Sequence, residues 1–331
     1  MSAALTPHTR LYTGLAAGAV GLLALSACGE GDAGGAQDSE DAFATVTTEF
    51  GDVVIEEEPE RVVALGWGDA EIALQLGVEP VGAADWVGFE DEDGLGPWME
   101  EGYSESPEIL GTMELSYEAV AELEPDLILD VNSSGDQERY ERLESIAPTV
   151  GVGPGGANYM TDGDEQLSMI GEALGRTQEA EQIQAELDES FAEVAEAHPE
   201  WADRDVTVAT RTSEGWGAYT HDGRVEFLED LGFTNNPEIE ELSEEDEWSV
   251  ELSDEQIDVF DADLIVAFPI WIDTEEITED AGWNSIEAVE EERAVVVDGE
   301  ISDAFSLGTP AAKEYALEEL TPMIEEALDD Q

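Results

Sequence analysis

The chain is 331 residues long and sets 84 aspartates and glutamates against 10 lysines and arginines, a formal net charge of −74. Such a field excludes nucleic acid and anionic lipid headgroups as natural partners on Coulomb grounds. A lone cysteine, Cys28, excludes intramolecular disulfides, so the fold must be held by burial. The acids run through the whole chain, as at 56–60, 238–247 and 290–292. That is the pattern of a halophile surface, kept hydrated in concentrated salt that screens repulsion to roughly a few ångströms.

In chain order, Arg10 precedes an apolar stretch over 11–25, and Leu25-Ser26-Ala27 ends at Cys28. A charged start, an apolar middle and small residues before a cut make a secretory signal peptide over 1–27. The stretch falls short of the about 20 apolar residues that a membrane span needs. Leu25-Ser26-Ala27-Cys28 resembles the bacterial lipoprotein box, which places the thiol to receive a lipid. The expectation is a chain lipidated on Cys28 and held at the cell membrane on its extracytoplasmic face. Residues 28–44, rich in Gly, Asp, Ala and Ser, read as a disordered tether.

From Val46 onward, short β-branched runs alternate with amphipathic stretches, the α/β signature. Strands are expected at 52–55, 62–65, 81–84, 127–131 and 149–152, with helices at 70–76, 117–123 and 137–146. There is a faint internal repeat: Ser116, Val120, Leu123 and Asp126-Leu127-Ile128 recur as Ser253, Ile257, Phe260 and Asp263-Leu264-Ile265. Two similar α/β lobes with mainly parallel sheets are expected, over 45–163 and 200–331. Between them, Ala180, Ile183, Leu187, Phe191 and Val194 keep helical spacing until Pro199 stops the run. The linking region is 164–199, with one long helix of about 30 Å joining the lobes. The second lobe carries strands at 206–210, 264–268 and 294–297 and a closing helix over 311–328.

A resemblance is carried by Arg61-Val62-Val63-Ala64-Leu65, by Asp69 to Val78, by Leu123-Glu124-Pro125-Asp126-Leu127-Ile128-Leu129 and by Leu143 to Val150, in that order. Together these strings resemble the iron-siderophore family of ABC-transporter substrate-binding lipoproteins. The resemblance implies two lobes around a ligand cleft, a ferric siderophore as ligand, and an ABC permease as partner. It also implies an acidic docking residue on top of each lobe, matched here by Glu71 and Glu229. The protein is expected to act as a monomer, without a cofactor, iron entering only within the chelate.

In open parallel α/β sheets, ligands gather beyond the carboxyl ends of the strands. That rule selects Trp67, Trp86, Arg211, Trp216, Tyr219 and Trp271, with no direct metal ligands. Aromatics offer broad contact to a bulky chelate, and a guanidinium can fork hydrogen bonds to its oxygens. Few cations argue against a highly anionic tris-catecholate and for a hydroxamate or mixed siderophore. Cobalamin or haem would suit the same architecture. Bare metal capture is disfavoured, since His198 and His221 are the only histidines after Cys28. An enzyme is disfavoured too: no Gly-x-Ser-x-Gly, P-loop or Gly-x-Gly-x-x-Gly turn follows a strand.

Overall fold

The computed structural model describes residues 42–86, 93–99, 101–112, 115–202, 204–243 and 248–329. The leader, Cys28 and most of the tether lie outside the described residues. Phe43, near the end of the expected tether, already donates its N–H to the Ile55 carbonyl at 2.9 Å. No helix among the described residues is long and apolar enough to cross a membrane.

The first lobe opens with an antiparallel hairpin, β1 (Ala44–Thr48) and β2 (Gly51–Ile55). Its sheet contains β3 (Val62–Ala64), β4 (Gly82–Ala84), β5 (Glu108–Leu110), β6 (Leu127–Leu129) and β7 (Thr149–Val150). The order is β5-β4-β3-β6-β7, and every neighbouring pair is parallel. The central runs Val62-Val63-Ala64 and Leu127-Ile128-Leu129 are wholly buried, as a sheet covered on both faces requires. Val63, Leu65, Ile128 and Leu143 fill one side. Val62, Leu127 and Leu129 meet Ile72, Leu167 and Ile170 on the other.

The second lobe holds β8 (Asp205–Thr212), β9 (Gly215–Tyr219), β10 (Thr234–Asn235), β11 (Ser249–Leu252), β12 (Leu264–Pro269) and β13 (Ala294–Val296). Its order is β11-β9-β8-β12-β13, with β10 pairing the start of β8. β8, β10, β12 and β13 are parallel, whereas β9 pairs antiparallel with both β8 and β11. Helices Gly299–Leu307 and Pro310–Asp329 close this lobe.

The faint repeat has a physical basis. Asp126, just before β6, accepts the N–H groups of Glu60 and Arg61 at 2.9 Å each, pinning the entry to β3. Asp263, just before β12, accepts the N–H of Asp205 at 3.2 Å and pins the entry to β8. The copies differ in their helices. Ser253 meets Gln256 as in a capping box, Oγ to Oε1 at 2.7 Å, yet the next four residues, Ile257–Phe260, form a 3-10 turn.

The helix Thr177–Ala197 joins the lobes, and its apolar stripe changes owner halfway. Ala180 and Ile183 pack into the first-lobe core, while Leu187, Phe191 and Val194 pack into the second. The expected linking region 164–199 is too wide. Helix Gly163–Ala173 buries Leu167, Met169 and Ile170 in the first-lobe core and belongs to that lobe.

The lobes also meet directly. Glu71 is 1% exposed and accepts from Gly96 N–H at 2.7 Å and Trp98 Nε1 at 3.1 Å, both in the first lobe. It also accepts from Thr309 Oγ1 of the second lobe at 2.7 Å. Burial raises its pKa against the pull of these bonds. Gly68 lets the lobes approach: its φ is +79°, and a Cβ there would collide with Thr309 Cγ2. Glu71 therefore cannot be a surface docking residue. Its carboxyl is enclosed by its own protein.

Candidate functional site

On the first lobe, the loops after β3 and β6 are drawn together by Asp69, a fully buried residue of the helix Asp69–Gln75. Its Oδ2 accepts from Gly66 N–H at 3.1 Å and Val131 N–H at 2.8 Å, and Oδ1 from Gln166 Nε2 at 2.7 Å. Burial pushes its pKa up to about 6, although the hydrogen bonds oppose the rise. Asp130 directly follows β6 and is clamped by Arg139, with Nε at 3.0 Å and Nη2 at 2.6 Å.

The segment after β7 is laced to the same loop. Tyr159 N–H donates to the Ser133 carbonyl at 2.8 Å, and Thr161 Oγ1 to the Val131 carbonyl at 2.9 Å. Asn158 and Tyr159 have φ of +56° and +61°, two consecutive side-chain-bearing residues in the left-handed region. Such strain is kept where the surroundings enforce it. Here the Tyr159 ring stacks on Trp67, with centroids 4.1 Å apart and planes at 23°. Trp86 meets Trp67 edge-on at 6.4 Å.

On the second lobe, Asp222 caps the helix Gly223–Asp230, accepting from the N–H groups of Arg224 at 2.9 Å and Val225 at 3.3 Å. Its second oxygen pairs with the Arg224 guanidinium. That guanidinium lies 4.4 Å from the Tyr219 ring centroid and 5.5 Å from that of Phe268. Burial works against its charge, but the Asp222 carboxylate outweighs it and raises the Arg224 pKa.

Between these walls lies a cavity of about 440 Å³, within the range of small-molecule sites. Trp67, Trp86, Asn132 and Tyr159 line it from one lobe, Arg224 and Phe305 from the other. No cluster of three or more His, Cys, Asp or Glu side chains able to hold a metal occurs among the described residues.

Trp67 and Trp86 both line this cavity. Trp216 and Tyr219 line an adjoining cavity of about 640 Å³ that shares Trp248 with the cleft. Both are buried: Trp216 stacks on Trp283 at 5.5 Å, and Tyr219 underlies Arg224. Arg211 lines neither cavity. It binds Asp254 at 3.1 Å and lies 5.1 Å from the Trp216 ring centroid. Trp271 is 83% exposed and also lines neither. The reason is topological. β9 turns back on β8, so the cleft wall comes from the loop after β9, not from the carboxyl ends of β8 and β12. Arg224 is a cleft cation that the strand-end rule does not select. Its signal in the sequence is Asp222-Gly223-Arg224, a cap-and-helix start directly behind an aromatic strand. Tyr159 gives no comparable sign. Glu229 is exposed on the second lobe.

Asp162, which caps Gly163–Ala173, shares a hydrogen bond with Glu226 across the cleft. Glu226 donates, and this bond together with burial pushes its pKa up to about 8, while Asp162 is held below its ordinary value. Because the folded pKa of Glu226 lies above its unfolded one, the contribution is fully present below about pH 4.5 and is lost as pH rises through about 8. The expected result is that wild type loses stability relative to Glu226→Gln across that window. Denaturant midpoints of both proteins, compared pH by pH at constant salt, cancel the shared acidic background. A constant difference would refute the shared proton.

The sequence model of the periplasmic binding protein family matches residues 62–300. The putative ABC transporter substrate-binding lipoprotein YhfQ of Bacillus subtilis (strain 168) is 32% identical over 163 residues, covering 48% of each chain, so the match spans about half of that relative's length. The probable siderophore-binding lipoprotein YfiY of the same organism is 26% identical over 256 residues, covering 72% of this chain and 75% of that protein. PiaA of Streptococcus pneumoniae TIGR4 in complex with ferrichrome superposes with a TM-score of 0.74 at 25% identity, covering 87% of this chain and 99% of that one. With two α/β lobes, a single joining helix and a cleft between them, the chain belongs to the periplasmic binding protein family.

Proposed function

We propose that this protein captures a ferric siderophore outside the cytoplasm and delivers it to an ABC importer, anchored by lipid on Cys28. The observation that carries this reading is the cleft itself: stacked Trp67 and Tyr159, with Trp86 edge-on, face the half-buried guanidinium of Arg224. Aromatic faces suit the apolar periphery of a bulky chelate, and a guanidinium fork suits one of its oxygens. The relative named as a probable siderophore-binding lipoprotein and the ferrichrome complex of PiaA support it. The protein acts as a monomer and as a binder, with iron arriving inside its ligand and no resident cofactor. Its acid-rich surface suits concentrated salt. Glu229 is the candidate for docking to the permease from the second lobe.

The test is a titration of the full chain with ferric siderophores, cobalamin and haem, followed by tryptophan fluorescence. Saturable quenching by a ferric siderophore is expected, reduced about tenfold or more in affinity by Trp67→Ala. Saturation by cobalamin or haem alone would overturn the assignment.

A further inference from the structure

The first-lobe wall of the cleft hangs on one buried pair, Asp69 and Gln166. Asp69 is wholly buried and Gln166 is 1% exposed. Gln166 Nε2 donates twice, to the Trp67 carbonyl at 2.8 Å and to Asp69 Oδ1 at 2.7 Å. Both partners only accept, so the nitrogen end of this amide must face them. Asp69 also accepts from the N–H groups of Gly66 at 3.1 Å, Val131 at 2.8 Å and Asn132 at 3.4 Å. Trp67 N–H in turn donates to the Asn132 carbonyl at 2.9 Å. The backbone of Trp67 is thus tied on both sides, and each tie leads to this pair or to the loop it holds. Gly66 belongs to the same arrangement, since a Cβ there would collide with the Asp69 carboxyl.

All four groups bonded to Asp69 are donors. They suit a carboxylate and offer no acceptor to the O–H of a protonated carboxyl. Of the four, only Gln166 can supply one, by turning its amide over. Its oxygen would then face the Trp67 carbonyl, lone pair against lone pair, and the tie to Trp67 would become a repulsion. The proton is within reach of ordinary conditions, because burial pushes the Asp69 pKa up to about 6. Asp130 adds a smaller repulsion and is itself clamped by Arg139. The other charged groups on the packed helices turn elsewhere: Glu71 to Gly96, Trp98 and Thr309, Asp162 to Glu226, Asp164 to Lys313 and Glu165 to Gly153.

Resting on the siderophore reading, we propose that Asp69 and Gln166 are positioning residues for the cleft. The Asp69 carboxylate holds Gln166 in the orientation that seats Trp67, and one added proton unseats it, so that ligand is captured near neutral pH and let go in mild acid. Neither side chain lines the cleft, so the proton acts from beneath its wall.

Two readouts on the full chain, both at constant salt, test this. The first needs no ligand: tryptophan emission is followed from about pH 8 to about pH 4.5, and the same titration of Trp67→Phe is subtracted. Wild type should show a Trp67-dependent change centred near pH 6, and Asp69→Asn should not. Gln166→Met should abolish the change as well, although Asp69 still titrates there; a merely structural Gln166 would leave it in place. The second readout is the affinity for ferrichrome by calorimetry. Wild type should bind about tenfold more weakly at about pH 5 than at about pH 7, because roughly a tenth of Asp69 is then ionised. Gln166→Met should bind about tenfold more weakly than wild type at about pH 7 and show a flat profile down to about pH 5. A spectral change that survives in Gln166→Met, or a wild-type affinity that does not fall with pH, overturns the positioning role and leaves the siderophore reading standing. Ferrichrome ignored at every pH, beside a spectral change that behaves as expected, counts against the siderophore reading and leaves the positioning pair intact.

Discussion

Alanine at Glu71 is expected to lower folding stability by about 3–5 kcal/mol, since it strips one acceptor from three buried donors. Gly96 N–H, Trp98 Nε1 and Thr309 Oγ1 all point at this carboxyl, and the last reaches it from the other lobe. Glu71→Gln should cost less, because it keeps the shape and removes the desolvation that raises the native pKa. Urea midpoints at fixed salt provide the measurement. A loss under about 1 kcal/mol for the alanine variant would mean that the lobes do not depend on this contact. A charge reversal at Glu71, read only as lost uptake, would report this damage and not a missing permease contact.

Removing the guanidinium of Arg224 should act on both binding and stability. Arg224→Ala strands the Asp222 carboxylate, 2% exposed as a side chain, at an expected cost of about 3–5 kcal/mol. It should also weaken chelate binding by about 100-fold or more, as loss of a central arginine anchor does. The two effects can be separated. Asp222→Asn combined with Arg224→Met removes the pair together and keeps a capping side chain, so most of the stability should return while binding stays lost. Arg211→Ala is the control and should leave affinity within about twofold, because that side chain lines neither cavity. If the double variant bound as wild type does, Arg224 would be a structural arginine only.

The lobes, the joining helix and the strand runs can be read from the sequence because they rest on periodicity. Val62-Val63-Ala64 and Leu127-Ile128-Leu129 are continuous apolar runs, and Ala180 to Val194 keep one helical face. Trp67 and Trp86 are reachable because all-parallel order in the first sheet makes strand ends a reliable guide. The same rule misplaces Arg211 and Trp271, because the reversal of β9 is written in pairing and not in composition. Asp69 and Glu71 are hidden for another reason. In a chain with 84 acids, a buried carboxyl looks like every solvated one until its donors are known. Tyr159 is hidden because its place depends on left-handed backbone at two residues that do not advertise it.

The helix Thr177–Ala197 gives its first half to one core and its second half to the other. Neither half of the molecule is thus a self-sufficient folding unit. A fragment cut on either side of the helix would leave part of its apolar stripe facing water, at Ala180 and Ile183 or at Leu187 and Phe191. Melting should therefore proceed as one concerted transition spanning both sheets, and separately expressed halves should aggregate unless mixed.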